Sequence, residues 1–326
     1  MHKIERGVRM KNKKVVVLGG GNGLSTLLRG LKQFPVDITA IVSVCDDGKS
    51  TGKIRKEFNL PALGDLRRDL IALSETEPLF EKMFNYRFKT SGELDGHTVG
   101  NIILVAMTEM TGSVSEAVEV LGKVFNLKGQ VFPLTEESNN TLMAEMADGT
   151  IVEGEHNITD DHRAIKRVFY KEEPKITPQS LKAIKEADLI ILSIGSLYTS
   201  IIPNLLSQEM ITAIDQSQAK IMYICNMMTQ PGETDHYTAS DHVKVLNRYL
   251  GTHKIDVVLA NNGTIAKSLL EKYKVEEQKD PVKVDHEQLK TLSLKLIEDN
   301  FVTIEDNMIR HDTIRLALQI FSYLLS

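Results

Sequence analysis

The sequence predicts an α/β fold, namely a Rossmann-like parallel sheet with helices on both faces and a small inserted β-hairpin region. Three observations predict it. Apolar runs of strand length alternate with amphipathic helical segments, the first run leads directly into a glycine-rich turn, and small or polar residues follow most of the runs. In an open parallel sheet the residues that follow the strands gather at one edge, where such folds bind their ligands.

The composition restricts the class of protein. We expect one domain over residues 1–326, with residues 1–13 as a disordered or frayed tail. The net charge of −5 argues against a general nucleic-acid binder. Cys45 and Cys225 cannot form a disulfide framework, which fits a cytoplasmic protein. No apolar run reaches the roughly 18–20 residues that a membrane span needs.

The stretch Lys14–Gly52 organises the first half of the chain. An apolar strand, Val15–Leu18, is followed by the glycine turn Gly19–Gly23. A helix with one apolar face is expected over Leu24–Phe34, and a second buried strand over Ile38–Val44. This order predicts one wall of a nucleotide site.

The glycine turn is a candidate phosphate site because the first backbone N–H groups of a helix have no hydrogen-bond partner within the helix. The dinucleotide pattern G-x-G-x-x-G is not met, since its third glycine is replaced by Leu24. That argues against a nicotinamide-dependent oxidoreductase. The alternative is that the glycines only permit a tight strand-to-helix turn. The candidate ligand residues are Gly20, Gly21, Asn22 and Gly23.

An acidic pair, Asp46 and Asp47, ends the second strand. It could bind a ribose, hold a cation such as magnesium, or act as a base, and the alternative is a solvated acidic turn. The following residues resemble the end of a P-loop, but the glycine that this motif requires at position 43 is Ser43, so we reject a P-loop.

Three helices are expected after this loop. The first begins near Gly64-Asp65 and carries Arg67 and Arg68 in its first turn, which face either an anion or the surface. The second is capped by Thr98 and runs to Met110, followed by a third helix over Ser113–Phe125. Gly100 and Asn101, in the first turn of the second helix, would let a ligand approach the backbone closely.

The sequence pattern changes from helical segments to strand-like runs at residues 129–172, and we interpret this region as a β-rich insertion. Asp148-Gly149 lies between two strand-like runs, and Asp-Gly in that position is a strong hairpin signal. Strands resume at 188–194, 220–225 and 256–260, separated by helices over 239–250 and 265–274.

The C-terminal helix places Ile314, Leu318, Phe321 and Leu325 on one face, with Asp312 or Thr313 as its cap. Arg310 and His311 stand just before it, where they could hold a phosphate. The nine histidines show no paired ligand spacing, and Ser196 lacks the nucleophile-elbow pattern G-x-S-x-G, so neither a zinc site nor a hydrolase triad is supported.

Together these motifs resemble the CofD/YvcK family, and specifically its YvcK branch of gluconeogenesis factors. The resemblance spans nearly the whole chain. It rests on GGGNGLSTLLRGLK at 19–32, DDGKSTG at 46–52, PALGDLRRDL at 61–70, GHTVGN at 96–101, IGSLYTSIIPNLL at 194–206, CNMMTQPGETDHYTASDH at 225–242 and RHD at 310–312.

The resemblance implies a Rossmann-like fold with one principal site. It implies cytoplasmic, nucleotide-sugar-binding regulators (UDP-glucose and UDP-N-acetylglucosamine) that support cell shape on gluconeogenic carbon sources. The CofD branch instead transfers a phospholactyl group from a GDP-linked donor to a deazaflavin precursor, with magnesium. Two positions depart from the family pattern, Asn22 in place of threonine and Lys49 in place of glycine.

The leading expectation is therefore a non-catalytic or weakly catalytic regulator that binds a UDP-sugar, and the alternative is a magnesium-dependent CofD-type transferase using Asp46 or Asp47. A homo-oligomer and a protein partner in cell-wall synthesis are left open, and no nucleic acid is expected. The expected ligand-binding residues are Gly20, Gly21, Asn22, Gly23, Asp46, Asp47, Ser50, Thr98, Asn101, Gly195, Ser196, Tyr198, Asn226 and Arg310.

Overall fold

The computed structural model describes residues 12–75 and 78–326, and for Lys49 and Ser50 it describes the backbone alone. Most of the segment for which we expected a tail therefore lies outside the described residues. The first strand begins at Lys13, the last residue of that segment.

A parallel sheet of seven strands forms the centre of the molecule, which confirms the predicted fold class. Every neighbouring pair of strands in this sheet runs in parallel. In chain order its strands are β1 (Lys13–Gly19), β2 (Val36–Val42), β3 (Gln130–Pro133), β7 (Leu189–Leu192), β8 (Lys220–Ile224), β9 (Val257–Asn261) and β10 (Lys295–Asp299).

Two smaller antiparallel sheets complete the β-structure. The first is three-stranded and contains the predicted hairpin, whose turn includes Asp148-Gly149. Its strands are β4 (Leu142–Met146), β5 (Ile151–Glu153) and β6 (Ile165–Tyr170), and the second sheet is the hairpin of β11 (Val302–Glu305) and β12 (Met308–His311). Residues 129–172 also contain β3, an edge strand of the main sheet, so the strands outside that sheet start only at Leu142.

Helices cover the sheet and connect its strands. They are α1 (Gly21–Leu31), α2 (Lys49–Phe58), α3 (Gly64–Leu73), α4 (Pro78–Asn85), α5 (Val99–Thr111), α6 (Val114–Val124), α7 (Glu155–Asp160), α8 (Pro178–Glu186), α9 (Gln208–Gln216), α10 (Ala239–Tyr249), α11 (Lys267–Glu276), α12 (His286–Lys290) and α13 (Thr313–Leu325). A π-helical turn, Leu197–Ile201, and a 3₁₀ turn, Ile202–Leu205, follow β7. No helix among the described residues is long and apolar enough to cross a bilayer.

The order of the strands is β10-β9-β8-β7-β1-β2-β3. From β1 the chain first builds the sheet in one direction, through β2 and β3. It then returns to the other side of β1 to place β7 and continues outward. The order therefore reverses between β1 and β7, and this is where an open α/β sheet leaves a crevice for a ligand.

Strand β1 is buried on both faces, as expected for a central parallel strand. Val15 and Val17 belong to the core on one side of the sheet, and Val16 and Leu18 to the core on the other. This alternation follows from the two-residue period of a strand. The switch point thus lies at the end of a strand that is buried on both faces.

Helix α13 packs through a different face from the one noted in the sequence. Leu316, Ala317 and Ile320 are fully buried in the same core as α1. Ile314 and Leu318 are 52% and 51% exposed. The prediction that the stripe in the sequence is the packed face was therefore wrong. Both faces of this helix carry apolar residues, and the packing against α1 decides which of them is buried.

Candidate functional site

Two loops that follow neighbouring strands meet at the switch point. One is the glycine turn after β1, and the other is Ile194–Ser196 after β7. Their contact needs glycine, since a Cβ on Gly23 would lie 2.1 Å from the carbonyl oxygen of Ile194. Asn226, which follows β8, donates from its Nδ2 to the carbonyl oxygen of Gly195 at 2.8 Å. The ends of three strands are thus joined at one place.

A cleft of about 770 Å³ opens over these loops. This volume lies within the range of about 300–1,000 Å³ that is usual for small-molecule sites. Of the residues predicted from the sequence, the cleft brings together Gly20, Gly21, Asn22, Gly23, Gly195, Ser196, Asn226 and Arg310.

The glycine turn forms the first turn of α1, three residues earlier than the sequence suggested. Gly21 adopts a φ of +67°, which favours glycine. Its backbone N–H donates to Oδ2 of Asp65 at 2.5 Å, and the other oxygen of Asp65 pairs with Arg68. The N–H groups of a first helical turn have no partner inside the helix. Asn22 and Gly23 therefore present theirs at the wall of the cleft.

Several cationic side chains line the cleft. Arg29 is paired with Glu81 at 2.5 Å and Lys279 with Glu277 at 2.7 Å. Arg310, at the end of β12, is exposed, and its Nη2 lies 3.2 Å from the sulfur of Met308. Burial lowers the pKa of neighbouring His311 to about 4, so His311 is neutral near pH 7 and offers a hydrogen bond rather than a charge.

A side pocket of about 170 Å³ adjoins the cleft and shares Gly20, Gly21, Arg68 and Ser200 with it. Asp46 and Glu155 contribute carboxylates to this pocket. Burial, and then the charges of Asp46 and Asp47, raise the pKa of Glu155 to about 7. The charged side chains that line the side pocket are therefore mainly carboxylates, whereas the adjoining cleft is lined by several cationic side chains.

The two members of the acidic pair have different positions. Asp46 lines the side pocket, where its Oδ1 accepts from the backbone N–H of Gly48 at 2.9 Å. Asp47 is not part of that wall, and its Oδ1 accepts from the backbone N–H of His156 at 2.9 Å. Asp47 thus holds the start of α7 and with it Glu155.

No group of three or more histidine, cysteine or acidic side chains in residues 12–75 and 78–326 is arranged to hold a metal ion. The carboxylates at the side pocket are Asp46, Asp65 and Glu155. Asp65 already accepts from the N–H of Gly21 and pairs with Arg68, which leaves Asp46 and Glu155 as the donors for an ion. Magnesium is often held by one or two carboxylates together with water and phosphate oxygens. These two residues fit that pattern and are the ones that would hold such an ion.

Below the cleft floor, Ser196 donates a hydrogen bond to Oε2 of Glu233, a residue that is only 3% exposed. The same oxygen accepts from the backbone N–H of Tyr198 at 3.2 Å, and Oε1 accepts from Nε2 of Gln230 at 2.5 Å. Burial raises the pKa of Glu233 to about 7. Ser196 also accepts from the N–H of Thr199 at 3.0 Å and caps the π-helical turn.

Sequence reasoning missed Glu233. It stands in the long segment between β8 and α10, and only the resemblance had drawn attention to that segment. A buried glutamate in a loop carries no periodic signal. Its role became visible only from its contacts with Ser196 and Gln230.

Besides Asp47, four further expected site residues lie away from the cleft and the side pocket or have side chains outside the described part of the chain. Thr98 is the N-cap of α5, where its Oγ1 accepts from the N–H of Asn101 at 3.3 Å, and neither residue lines the cleft or the side pocket. Tyr198 is buried, and its hydroxyl contacts that of Tyr237 at 3.1 Å. Ser50 belongs to α2, but its side chain lies outside the part of the chain that the structure describes.

The two cysteines do not supply a nucleophile. Cys45 and Cys225 are 3% exposed, and burial raises the pKa of each thiol to about 12. A thiolate is the reactive form of cysteine, and neither residue forms it readily near neutral pH. Both side chains pack in the core on one face of the main sheet.

Comparison with known proteins agrees with this architecture. Residues 15–302 match the CofD family, described as 2-phospho-L-lactate transferase CofD. A gluconeogenesis factor of Bacillus subtilis (strain 168) is 49% identical over 305 residues, which cover 93% of this chain and 96% of the relative. A gluconeogenesis factor of Halalkalibacterium halodurans is 47% identical, covering 94% of this chain and 95% of the relative.

A crystal structure of a protein from Bacillus halodurans superimposes with a TM-score of 0.91 at 46% identity, covering 95% of this chain and 100% of that one. A second crystal structure from the same organism, of a protein described as a member of the UPF0052 family, gives the same TM-score and identity. The match to the family covers most of the chain, and the curated relatives share its length. The chain therefore belongs to the CofD family, in the YvcK branch of gluconeogenesis factors.

Proposed function

We propose that this protein is a cytoplasmic nucleotide-sugar-binding regulator whose cleft takes a UDP-sugar such as UDP-N-acetylglucosamine or UDP-glucose. The observation that carries the proposal is the meeting of the glycine turn with Ile194–Ser196 at the switch point, beneath a cleft lined by cationic side chains. A diphosphate matches both features, since helix N-termini and arginines bind phosphate oxygens.

The diphosphate would lie against the N–H groups of Asn22 and Gly23, with Arg310 reaching it from the rim. Oδ1 of Asn226 is buried and has no hydrogen-bond partner among the described residues, so it is available to accept from a base or sugar. Asp46, in the adjoining side pocket, would accept from ribose hydroxyls. These regions would contact the diphosphate, the ribose, and either the base or the sugar of a nucleotide sugar.

A regulatory role fits the chemistry of the cleft floor. Ser196 is the hydroxyl nearest to a buried carboxylate there, but its oxygen already donates to Glu233 and accepts from Thr199. A hydroxyl used in this way fixes a loop more readily than it attacks a substrate. The relatives named gluconeogenesis factor support a general role in gluconeogenic growth. We propose that this role includes the maintenance of cell shape.

A thermal-shift panel tests the proposal, with UDP-N-acetylglucosamine, UDP-glucose, GDP and NAD as ligands. A ligand at about 100-fold excess over its Kd stabilises the folded state by about 2.7 kcal/mol. For a chain of this size that raises Tm by about 4 °C. We expect the UDP-sugars to give this shift and NAD to give none. A shift with NAD alone would refute the proposal.

A CofD-type transferase is the second candidate, favoured by the family match and by the two carboxylates beside the glycine turn. In that case Asp46 and Glu155 would hold magnesium, which would neutralise phosphate charge during transfer. The distinguishing measurement is product formation from a GDP-linked lactyl donor and a deazaflavin acceptor. Turnover by the parent protein that Asp46→Asn abolishes, with ligand binding retained, would establish the transferase and displace the regulator.

A further inference from the structure

The first turns of α3 place an arginine at the inner wall of the cleft. Arg67 lines the cleft although only 6% of it is exposed. Of the other arginines that line the cleft, Arg29 and Arg68 have side chains that are 43% and 32% exposed, and Arg310 is exposed at the rim. Arg67 is therefore the most buried of the arginines that line the cleft.

The surroundings hold Arg67 in position. Its Nη1 donates to Oδ1 of Asn85, the last residue of α4. Its stem lies against the first turn of α5, where a Cβ on Gly100 would come within 2.7 Å of Cδ of Arg67 and of the ring of Phe84. Glycine at position 100 thus makes room for the arginine stem, and not for a ligand as the sequence had suggested.

No carboxylate among the described residues lies within ion-pair distance of Arg67, whereas Arg68 pairs with Asp65 and Arg29 with Glu81. Nε of Arg67 is buried and has no hydrogen-bond partner in the described part of the chain. Burial, and then the charge of Arg87, lower the pKa of Arg67 to about 10, so the group keeps its charge at neutral pH. A buried cation without a counter-charge costs stability.

We propose that Arg67 is the inner anion-binding residue of the cleft and takes the diphosphate group of the ligand, opposite Arg310 at the rim. This inference rests on the proposed function and adds to it the residue that recognises the charge. Arginine suits this position because its planar guanidinium can bind two phosphate oxygens at once. The ligand supplies the counter-charge that the protein itself does not provide.

Two consequences distinguish this role from a purely structural one. If the role of Arg67 is to bind an anion, replacing it with an apolar side chain removes a buried unpaired charge. The stability of the ligand-free protein should then stay the same or increase. Asn85 is exposed, so its oxygen can bond to water after the replacement. If Arg67 instead holds α3, α4 and α5 together, the same replacement lowers Tm and leaves anion binding alone.

The test uses the full chain with Arg67→Met and Arg67→Lys. Arg167→Met is the control, since Arg167 pairs with Glu145 and does not line the cleft. Calorimetric titrations with inorganic pyrophosphate and with UDP-N-acetylglucosamine give the affinities, and thermal unfolding without ligand gives the stabilities. We expect Arg67→Met to weaken pyrophosphate binding about 30-fold, which is about 2 kcal/mol. Arg67→Lys should be intermediate, since it keeps the charge but not the two-pronged geometry.

The expected pattern is weaker binding for Arg67→Met, an unchanged or higher Tm for its ligand-free form, and less than about a threefold change in Kd for Arg167→Met. Equal affinity of parent and both Arg67 variants for both probes would overturn the inference, while the proposed function would stand if UDP-N-acetylglucosamine still bound. Arg67-dependent binding of pyrophosphate without binding of the UDP-sugar would support the inference and refute the UDP-sugar. No binding of either probe by the parent would overturn both. If Arg67→Met does not fold, the ratio of affinities for Arg67→Lys and parent decides.

Discussion

The carboxylate of Asp65 accepts a hydrogen bond from the backbone N–H of Gly21 at 2.5 Å, at the N-terminus of α1. Its second oxygen pairs with Arg68. The protein therefore places a negative charge of its own at one end of the anion-binding turn. That charge orders the turn, and it also repels any diphosphate that comes to lie beside it.

Replacing this carboxylate should separate stability from affinity. Asp65→Asn keeps an oxygen for Gly21 but removes the charge that pairs with Arg68. We expect the free energy of unfolding to fall by about 1–3 kcal/mol, the usual worth of a hydrogen bond to a charged group. The affinity for UDP-N-acetylglucosamine should rise, because a like charge has left the site. Urea unfolding and calorimetry measure the two effects, and weaker binding by a folded Asp65→Asn protein would contradict this account of Asp65.

The buried carboxyl of Glu233 predicts a dependence of stability on pH. Its pKa is about 7 in the folded protein, above the ordinary value of 4.5. The folded state therefore binds this proton more tightly than the unfolded state does, and stability declines as pH rises from about 4.5 to about 7. Glu233→Gln removes that decline. The variant should exceed the parent at pH 8 by on the order of 3 kcal/mol and match it near pH 4.5.

Denaturant unfolding at a series of pH values checks the Glu233 prediction. Glu119→Gln is a suitable control, because the side chain of Glu119 is 56% exposed on α6. Its difference from the parent should show no comparable change with pH. A constant difference between parent and Glu233→Gln from pH 4.5 to pH 8 would show that Glu233 does not titrate as described.

The contact between the two strand-end loops predicts the effect of a single methyl group. In Gly23→Ala the new Cβ would meet the carbonyl oxygen and carbon of Ile194 at 2.1 and 2.5 Å, and these backbone atoms cannot rotate away. We expect a loss of stability of about 1–3 kcal/mol and loss of nucleotide-sugar binding.

Gly92→Ala is the control for this change, since the nearest atom to its Cβ would be Oγ1 of Thr90 at 3.8 Å. Thermal unfolding and calorimetry measure both variants. If Gly23→Ala binds and melts as the parent does, the two loops do not form the rigid base of the cleft.

The side pocket gives a prediction about magnesium. If the protein is a regulator in which Asp46 contacts only ribose hydroxyls, chelation by EDTA should leave the Kd for UDP-N-acetylglucosamine unchanged. Asp46→Asn should then weaken binding by no more than about tenfold, the effect of one hydrogen bond. Calorimetry with and without EDTA measures this. A large loss of affinity on chelation, restored by magnesium, would favour the transferase.

The sheet was predictable because central parallel strands leave continuous apolar runs in the sequence. The runs over 188–194 and 220–225 correspond to β7 and β8, and the caps Thr98 and Asp312 are both in place. Strand ends also predicted much of the cleft, since Asn22, Ser196 and Asn226 all lie in its wall. Parallel strands deliver their C-terminal residues to one edge, and that rule needs no knowledge of packing.

The sequence did not predict which helical side chains face the site, because that depends on how each helix is oriented in the fold. Arg67 and Arg68 are neighbours in α3, and the sequence does not say which of them is buried. Thr98 and Asn101 were expected at the cleft, but α5 faces Arg67 there and not the open cleft itself. Glu233 depends on the path of a long irregular segment. Each of these positions is set by tertiary contacts and leaves no local pattern.

Calorimetric titration of UDP-N-acetylglucosamine into the parent protein and into Arg310→Ala tests the central claim most directly. Arg310 is exposed at the rim of the cleft, so its removal should not disturb the fold. The account predicts saturable binding at one site per chain by the parent, and a Kd raised about tenfold or more in the variant, the usual effect of losing one charged hydrogen bond. Absence of binding by the folded parent protein would contradict it.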